Sequence, residues 1–339
     1  MTEPEALPSR LDRLAEDVKE RILIQTQCSP RPWIGIAARA MLTLPLQARG
    51  GARRYAASSD GETLDVLTIG REGSLHLPER VMDSLGEPER LGHRGLWSPR
   101  RLGRRSGDLV VAEIHPLAAP RFRKAGWIVV PHAVRWEASL ASIPPSKPGH
   151  SLADDLRRVR NRGYALERAG SPPDWEEFFS EMVTPLARER FGRDGWTPNR
   201  RLRRDLAALA TLLFVRTEEE GRVAGICVVR AGAKAWTPAL GVKAAERRLV
   251  REGAVAAAYL AVIELARSEG LERVDFGRTS PFLNDGLHRY KRKWGLVPAV
   301  DRIVQLSAVW LDTERSALRR AFAREPVLVD DGGLRVFAG

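Results

Sequence analysis

The sequence predicts an α/β protein with a mixed sheet, made of a C-terminal module and a smaller α+β module before it. Three observations support this prediction. The chain has 339 residues, more than a single domain usually contains. The segment ASIPPSKPGH at 141–150 holds three prolines and a glycine, which interrupt both helices and strands. After it, amphipathic and β-branched segments follow in an order that favours helices packed on the faces of a mixed sheet.

The predicted boundaries give an N-terminal α+β module, a linker, a second module and a C-terminal extension, at 1–140, 141–150, 151–312 and 313–339. In the first module, apolar residues at helical spacing predict a helix over 10–24. Runs rich in β-branched and apolar residues predict three strands, at 63–70, 108–116 and 127–140.

The second module is expected to begin with a helix. Ser151, with Asp154 three residues later, predicts a capping box, and Gly163 is expected to end the helix. Pro185 predicts a kink or a break in the next helix, 174–192. A helix, three strands, a long helix, a strand, a helix and a last strand follow, at 198–209, 212–218, 222–232, 234–243, 254–270, 272–277, 286–294 and 300–311.

The composition is strongly basic, with a net charge of +12 and 55 basic residues, of which only seven are lysine. A compositional bias toward arginine explains this excess, and so does a polyanionic partner, because a basic surface attracts phosphates. No run of about 18 apolar residues predicts a membrane span, and the acidic start lacks a secretory pattern, so a cytoplasmic protein is expected. The two cysteines and six histidines show no metal-ligand spacing, so no bound metal is expected.

The most specific pattern lies at 275–295. A strand ends in DFGR, the loop TSPFLNDG follows, and a helix carries YKRKW and closes on Gly295. This run resembles the signature of the FemAB-like branch of the GNAT (acyl-CoA N-acyltransferase) superfamily, with its DFG-type strand end and aromatic-Lys-x-x-Trp-Gly helix. The resemblance extends back to about residue 150, through SLADDLRRVRNRGY, PLARERFG and ALGV, and therefore covers about half of the chain.

The resemblance implies a GNAT-like C-terminal module that transfers an acyl or aminoacyl group. The donor would be an aminoacyl-tRNA, which we prefer, or an acyl-CoA, as a co-substrate and not a tightly bound cofactor. The acceptor would be a small molecule or a peptide. In the better-known Fem proteins two GNAT-like modules lie side by side, so the N-terminal half is a candidate for a reduced second GNAT-like unit.

Donor phosphates would be held at a helix N-terminus, where backbone N–H groups are available. Arg251, Gly253 and Ala254 stand at the start of the long helix and are the candidates. Coenzyme A users of the superfamily usually show R/Q-x-x-G-x-G/A here, whereas this chain has Val250 and Val255 at two of the motif positions. Gly253 is equally explained by close packing of the helix.

Negative charge on the attacked carbonyl oxygen needs a fixed cation or donor. Lys291 matches the helix lysine of the Fem pattern, and Arg278 at the strand end is the second candidate. The alternative is a solvated basic face, which is the preferred interpretation for its neighbours in the run. Tyr290 and Trp294 are candidates for the donor side, although aromatic residues at such positions are more often part of the core.

The attacking nucleophile must lose a proton, for which Asp285, His288 and Asp275 are candidates. Asp285 is also a good N-cap for the helix that follows it, and this role is the preferred one. Phosphates of a tRNA would meet two arginine clusters, represented by Arg157, Arg160, Arg200 and Arg204, which also fit ordinary solvated helix faces. A third hypothesis, a non-catalytic basic module that binds RNA or another anionic polymer, therefore remains open.

Overall fold

The computed structural model describes residues 49–70, 76–96, 98–102, 107–192, 197–301 and 306–339. The chain forms two compact units, each made of more than one stretch of sequence. Within the described ranges, unit 1 contains 137–277 and 293–297, and unit 2 contains 49–136, 278–292 and 298–339. The segment 141–150 lies inside unit 1, and the predicted helix over 10–24 lies outside the described residues.

The described residues form strands and helices that follow one another in a mixed order along the chain. The strands are β1 (Arg49–Ser59), β2 (Glu62–Gly70), β3 (Ser84–Leu85), β4 (Glu89–Gly95), β5 (Leu109–Ile114), β6 (Ile128–Pro131), β7 (Val134–Ser139), β8 (Ala165–Ala169), β9 (Ala210–Thr217), β10 (Gly221–Ala231), β11 (Lys234–Val242), β12 (Arg273–Thr279), β13 (Val297–Val300), β14 (Leu306–Leu311), β15 (Val327–Asp330) and β16 (Leu334–Phe337). The α-helices are α1 (His76–Val81), α2 (Pro99–Leu102), α3 (Ala119–Lys124), α4 (His150–Arg162), α5 (Pro172–Glu177), α6 (Thr184–Phe191), α7 (Arg200–Leu209), α8 (Arg247–Glu252), α9 (Ala254–Ser268), α10 (Gly286–Lys293) and α11 (Ser316–Arg324).

The sheet of unit 2 has the strand order β3-β1-β2-β5-β14-β6, and β4 also pairs with β1. Strands β2 and β5 are parallel, whereas β14 is antiparallel to both of its neighbours. On one face, Leu318 and Phe322 of α11 and Val327 of β15 share a buried cluster with Val66 and Val111. The predicted C-terminal extension therefore supplies part of the core of this unit.

The sheet of unit 1 has the order β13-β7-β12-β11-β10-β9-β8, with β11 and β12 parallel. One face is covered by α5, a π-helical segment (Phe178–Val183) and α7, whose buried residues pack with Leu212 and Phe214. Helix α9 lies on the other face. The π-helical segment approaches the sheet closely, because a Cβ on Gly241 would come within 2.5 Å of the Met182 backbone. Helices on both faces of a mixed sheet confirm the predicted fold class.

Several local predictions need correction. Helix α4 begins after Gly149 and has no side-chain cap, so the capping box predicted at Ser151 is wrong. Asp154 instead forms an ion pair with Arg157 at 3.0 Å, one turn along the same helix. The strand predicted over 300–311 is confirmed from Leu306 on, as β14, but its start is wrong, because Val300 belongs to β13 in the other sheet. The break predicted at Pro185 is wrong, because the helical backbone continues from the π-helical segment into α6, which begins at Thr184; only the helix type changes there.

Candidate functional site

A buried lysine lies beside the end of β12 in unit 2. The Lys291 side chain is carried by α10, and its Nζ donates a hydrogen bond to the carbonyl oxygen of Arg278 at 3.1 Å. Lys291 is only 4% exposed. The Arg278 guanidinium in turn binds the buried carboxylate of Asp301. Lys291 and Arg278 are the two residues predicted to stabilise a negatively charged oxygen. They are thus joined by a hydrogen bond from the Lys291 side chain to the Arg278 backbone.

His288 lies one turn before Lys291 on the buried face of α10 and is 2% exposed. Its ring meets the Trp136 indole edge to face, with 4.6 Å between ring centroids. Burial lowers the pKa of His288 and the charge of Arg292 acts in the same direction, while the Leu283 backbone and the Asp285 carboxylate oppose them. The ring is therefore held in its neutral form, which can accept a proton.

Two residues that sequence reasoning missed fix the end of β12. The Trp136 Nε1 donates to the Thr279 hydroxyl at 2.7 Å, and this hydroxyl donates to the Ser280 carbonyl at 3.0 Å. Both Trp136 and Thr279 are buried. The only signal for Thr279 was its position directly after the DFGR strand end. Trp136 gave none, because it precedes the run by more than a hundred residues.

Asp285 acts as the N-cap of α10, as predicted for its structural role. Its Oδ1 accepts the backbone N–H of Leu287 at 2.7 Å and, more weakly, that of His288 at 3.4 Å. The carboxylate therefore satisfies N–H groups that have no partner within the helix. Tyr290, on the same helix, is partly buried.

The remaining candidates lie in unit 1, where Asp275 is fully buried. Its carboxylate accepts the Gly277 N–H at 2.9 Å and lies 3.4 Å from the Lys234 ammonium. The Thr237 hydroxyl donates to the Asp275 carbonyl at 3.3 Å. These contacts hold the β11–β12 pair together, and they give Asp275 a structural role.

Trp294 belongs to an aromatic cluster in the core of unit 1. Its ring lies 5.3 Å from that of Tyr259, which stacks on Phe276 at 3.9 Å. All three side chains are buried, and burial raises the pKa of the Tyr259 hydroxyl. A donor group that stacked on Trp294 would first have to displace this packing.

Gly253 joins α8 to α9 with a φ of 101°, a conformation that favours glycine. A Cβ at this position would lie 3.4 Å from the side chains of Arg158 and Val159, so α4 packs closely against the start of α9. Ala254 is buried, whereas Arg251 is exposed. Close helix packing accounts for Gly253, and its predicted role toward donor phosphates stays a prediction.

The arginines of α4 are largely neutralised by carboxylates. Arg157 pairs with Asp154 at 3.0 Å and Arg158 with Asp155 at 3.2 Å. Arg162 contacts three glutamates, Glu219, Glu220 and Glu252. Within the described ranges only Arg160 on this helix is exposed and has no ion pair.

Helix α7 differs from α4 in both charge and position. Arg203 pairs with Glu176 at 3.7 Å, while three exposed arginines have no ion pair with any described residue: Arg200, Arg201 and Arg204. The inner side of α7 packs on the sheet face that carries Leu212. Helix α9 lies on the opposite face of the sheet, and α4 packs against the start of α9. The arginines of α4 and α7 therefore do not form one surface.

Within the described ranges, no three His, Cys, Asp or Glu side chains come together as they would around a metal ion. Cys227 is buried in the sheet, and burial raises the pKa of its thiol to about 12. Among the described helices, none combines the length and the apolar composition needed to cross a bilayer.

No protein-family profile and no curated protein matches the sequence. Among solved structures, the chain is similar to L-PGS from Bacillus licheniformis, at 13% identity over 92% of this chain and 95% of that chain, with a TM-score of 0.41. FemX is similar at 13% identity over 82% of this chain and 91% of its own, with a TM-score of 0.39. A tandem GNAT protein from the clavulanic acid biosynthesis pathway is similar at 12% identity over 87% and 94%, with a TM-score of 0.34.

Proposed function

We propose that the protein transfers an aminoacyl group from aminoacyl-tRNA to an amine, with Lys291 as the group that stabilises the reacting ester. One observation carries the proposal: a buried ammonium at the end of β12, one helical turn from a neutral buried imidazole. A positive charge that is shielded from water stabilises developing negative charge far better than an exposed one. The matching position of Lys291 in the run 275–295 supports the same role.

In this reaction the nitrogen of the acceptor attacks the ester carbonyl carbon. A bond from nitrogen to carbon forms, and the bond from carbon to the ribose oxygen of the tRNA breaks. Lys291 stabilises the negative charge on the carbonyl oxygen. His288 accepts the proton that the nitrogen loses and returns it to the departing ribose oxygen, which a neutral imidazole can do.

The preference for tRNA as the donor is supported by the distribution of charge. Helix α7 presents Arg200, Arg201 and Arg204 without carboxylate partners among the described residues, as a phosphate-binding surface requires. The arginines of α4 are mostly paired, so Arg157 and Arg160 are weaker candidates. The departures at Val250 and Val255 argue against a coenzyme A pyrophosphate at the start of α9, and the positive φ of Gly253 accounts for the glycine without one.

The direct test supplies the full chain with tRNAs charged with labelled amino acids and with a panel of small amines. We expect protein-dependent movement of label from tRNA to an amine product. Transfer from acetyl-CoA without transfer from tRNA, together with thermal stabilisation by coenzyme A, would assign the other donor. Salt-sensitive RNA binding with no transfer from either donor would identify a non-catalytic module.

A matched pair of variants tests the tRNA surface separately from the chemistry. The R200E/R204E protein is expected to bind tRNA at least about tenfold more weakly, because two phosphate contacts are lost. Its binding is also expected to depend less on salt concentration. The R157E/R160E protein carries the same change of charge on α4 and is expected to lose much less. Equal losses in the two proteins would contradict the assignment to α7.

A further inference from the structure

A cavity of about 410 Å³ opens in unit 1 at the end of α9 farthest from Gly253. Its lining residues come from the start of β9, the end of β10, the start of β11 and the end of α9. Its apolar wall consists of Leu209, Val228, Ala235, Leu265, Ala266 and Leu271. Its volume falls within the range of small-molecule sites, roughly 300–1,000 Å³.

Three polar side chains complete the lining: Thr211, Arg230 and Glu269. Arg230 is exposed and Glu269 is partly exposed, and neither forms an ion pair with the other or with any other described residue. Acidic and basic side chains elsewhere in unit 1 pair readily, as those of Arg162 and Glu220 do at 2.7 Å. Arg230 and Glu269 therefore present opposite charges to the same cavity without neutralising each other.

We infer that this cavity binds a small zwitterion with an apolar side chain, namely a free apolar amino acid or its dipeptide. Arg230 would bind the carboxylate through its planar guanidinium, and Glu269 would bind the ammonium. The apolar wall would cover the side chain, as it does in most small-molecule sites. Thr211 is fixed at the rim, since its hydroxyl accepts a hydrogen bond from Arg168 at 3.2 Å.

This cavity is separate from the start of α9, which is the predicted place for the donor phosphates. At 1.5 Å per residue, Ala266 lies about 18 Å along the helix from Ala254. Binding in the cavity does not require transfer chemistry, because none of its lining residues belongs to the proposed reaction. Failure of the proposed function would therefore leave the inference intact, and the reverse also holds.

The test titrates leucine and leucyl-leucine into the full chain by calorimetry. We expect saturable binding of at least one of them at a single site. Affinity is expected to fall about tenfold for N-acetyl-leucine and for leucinamide, each of which lacks one charge. The R230Q and E269Q variants are expected to lose affinity by a similar factor for leucine itself.

The controls are R188Q and E181Q, which remove an exposed arginine and an exposed glutamate of unit 1 that do not line the cavity. Both are expected to bind as the unaltered chain does. The inference is overturned if neither ligand saturates up to its solubility limit, or if R230Q and E269Q leave the affinity unchanged. Backbone amide shifts provide a second measurement, and changes that avoid residues 228–235 would also overturn it.

Discussion

Lys291 and Lys293 lie two residues apart on α10, yet their surroundings differ sharply. Lys291 is buried and donates to a backbone carbonyl, that of Arg278. Lys293 is partly exposed and forms an ion pair with the Asp155 carboxylate. The sequence predicts a solvated lysine at 293, whereas the structure ties it to α4. A short basic run can therefore hold a structural charge and a candidate catalytic charge side by side.

The two lysines therefore differ in the partner to which each one donates. Lys293 and the Asp155 carboxylate stabilise each other, so we assign this pair a structural role. The Lys291 side chain is buried at the end of β12, and it is the group that we propose to stabilise the reacting ester.

The largest expected effect is on the rate of transfer. Replacement of Lys291 by Met removes the ammonium but keeps an apolar chain of similar length, and the rate is expected to fall about 100- to 1,000-fold, as it does when an oxyanion donor is lost. K293M is the matched control and is expected to stay within about threefold of the unaltered chain. Single-turnover rates with aminoacyl-tRNA measure both, and equal losses would remove the distinction.

For the free energy of unfolding, we expect the substitution of Lys293 to have the clearer effect of the two. K293M leaves the Asp155 carboxylate with only Arg158, at 3.2 Å, and is expected to lower the free energy of unfolding by about 1–2 kcal/mol. The D155N/K293M protein no longer has a buried carboxylate that has lost its lysine partner, and it is expected to recover part of this loss. Urea unfolding measures the three proteins, and a double variant no more stable than K293M would argue against the pairing.

A third prediction concerns Asp285, which begins the helix that carries both lysines. D285A removes the cap and is expected to lower the free energy of unfolding by about 1 kcal/mol. D285N retains a good capping side chain but cannot act as a base, so it is expected to keep both stability and transfer. Loss of transfer in D285N, with stability unchanged, would show that Asp285 takes part in the proton transfer.

The smallest expected effect is a dependence on pH through His288. Burial lowers the pKa of this ring in the folded chain, so below about pH 6.5 the unfolded chain binds more protons than the folded one. The free energy of unfolding is therefore expected to fall on acidification from this pH, and H288Q is expected to reduce that slope. Urea unfolding at several pH values tests this, and an unchanged slope would contradict a buried neutral ring.

Local patterns in the sequence predict most of the elements, because helix spacing and β-branched runs act over a few residues. Strand β2, the long helix α9 and the capping role of Asp285 are all predicted within a residue or two. Sheet partners could not be predicted, since β14 pairs with β5 and β6 across more than a hundred intervening residues. No local pattern specifies such a pairing.

The candidate site was predictable only in part, for the same reason. Lys291 and His288 were found because they belong to one helix within a recognisable run. Trp136 contacts that helix from more than a hundred residues earlier in the sequence, and only the fold reveals it. Asp301 binds Arg278 from 23 residues further along the chain, and no pattern marks it. The neutralisation of Arg162 on α4 likewise depends on glutamates that lie more than fifty residues away.

The position of β14 has a consequence for the order in which the protein is made. Strand β6 leaves the ribosome roughly 170 residues before the strand that must pair with it. At about 5–20 residues per second, β5 and β6 wait roughly 10–35 seconds with exposed edges before their shared neighbour arrives. Unit 2 therefore completes its sheet only after β14 has been made, and a nascent chain released before that point would expose those unpaired strands to aggregation.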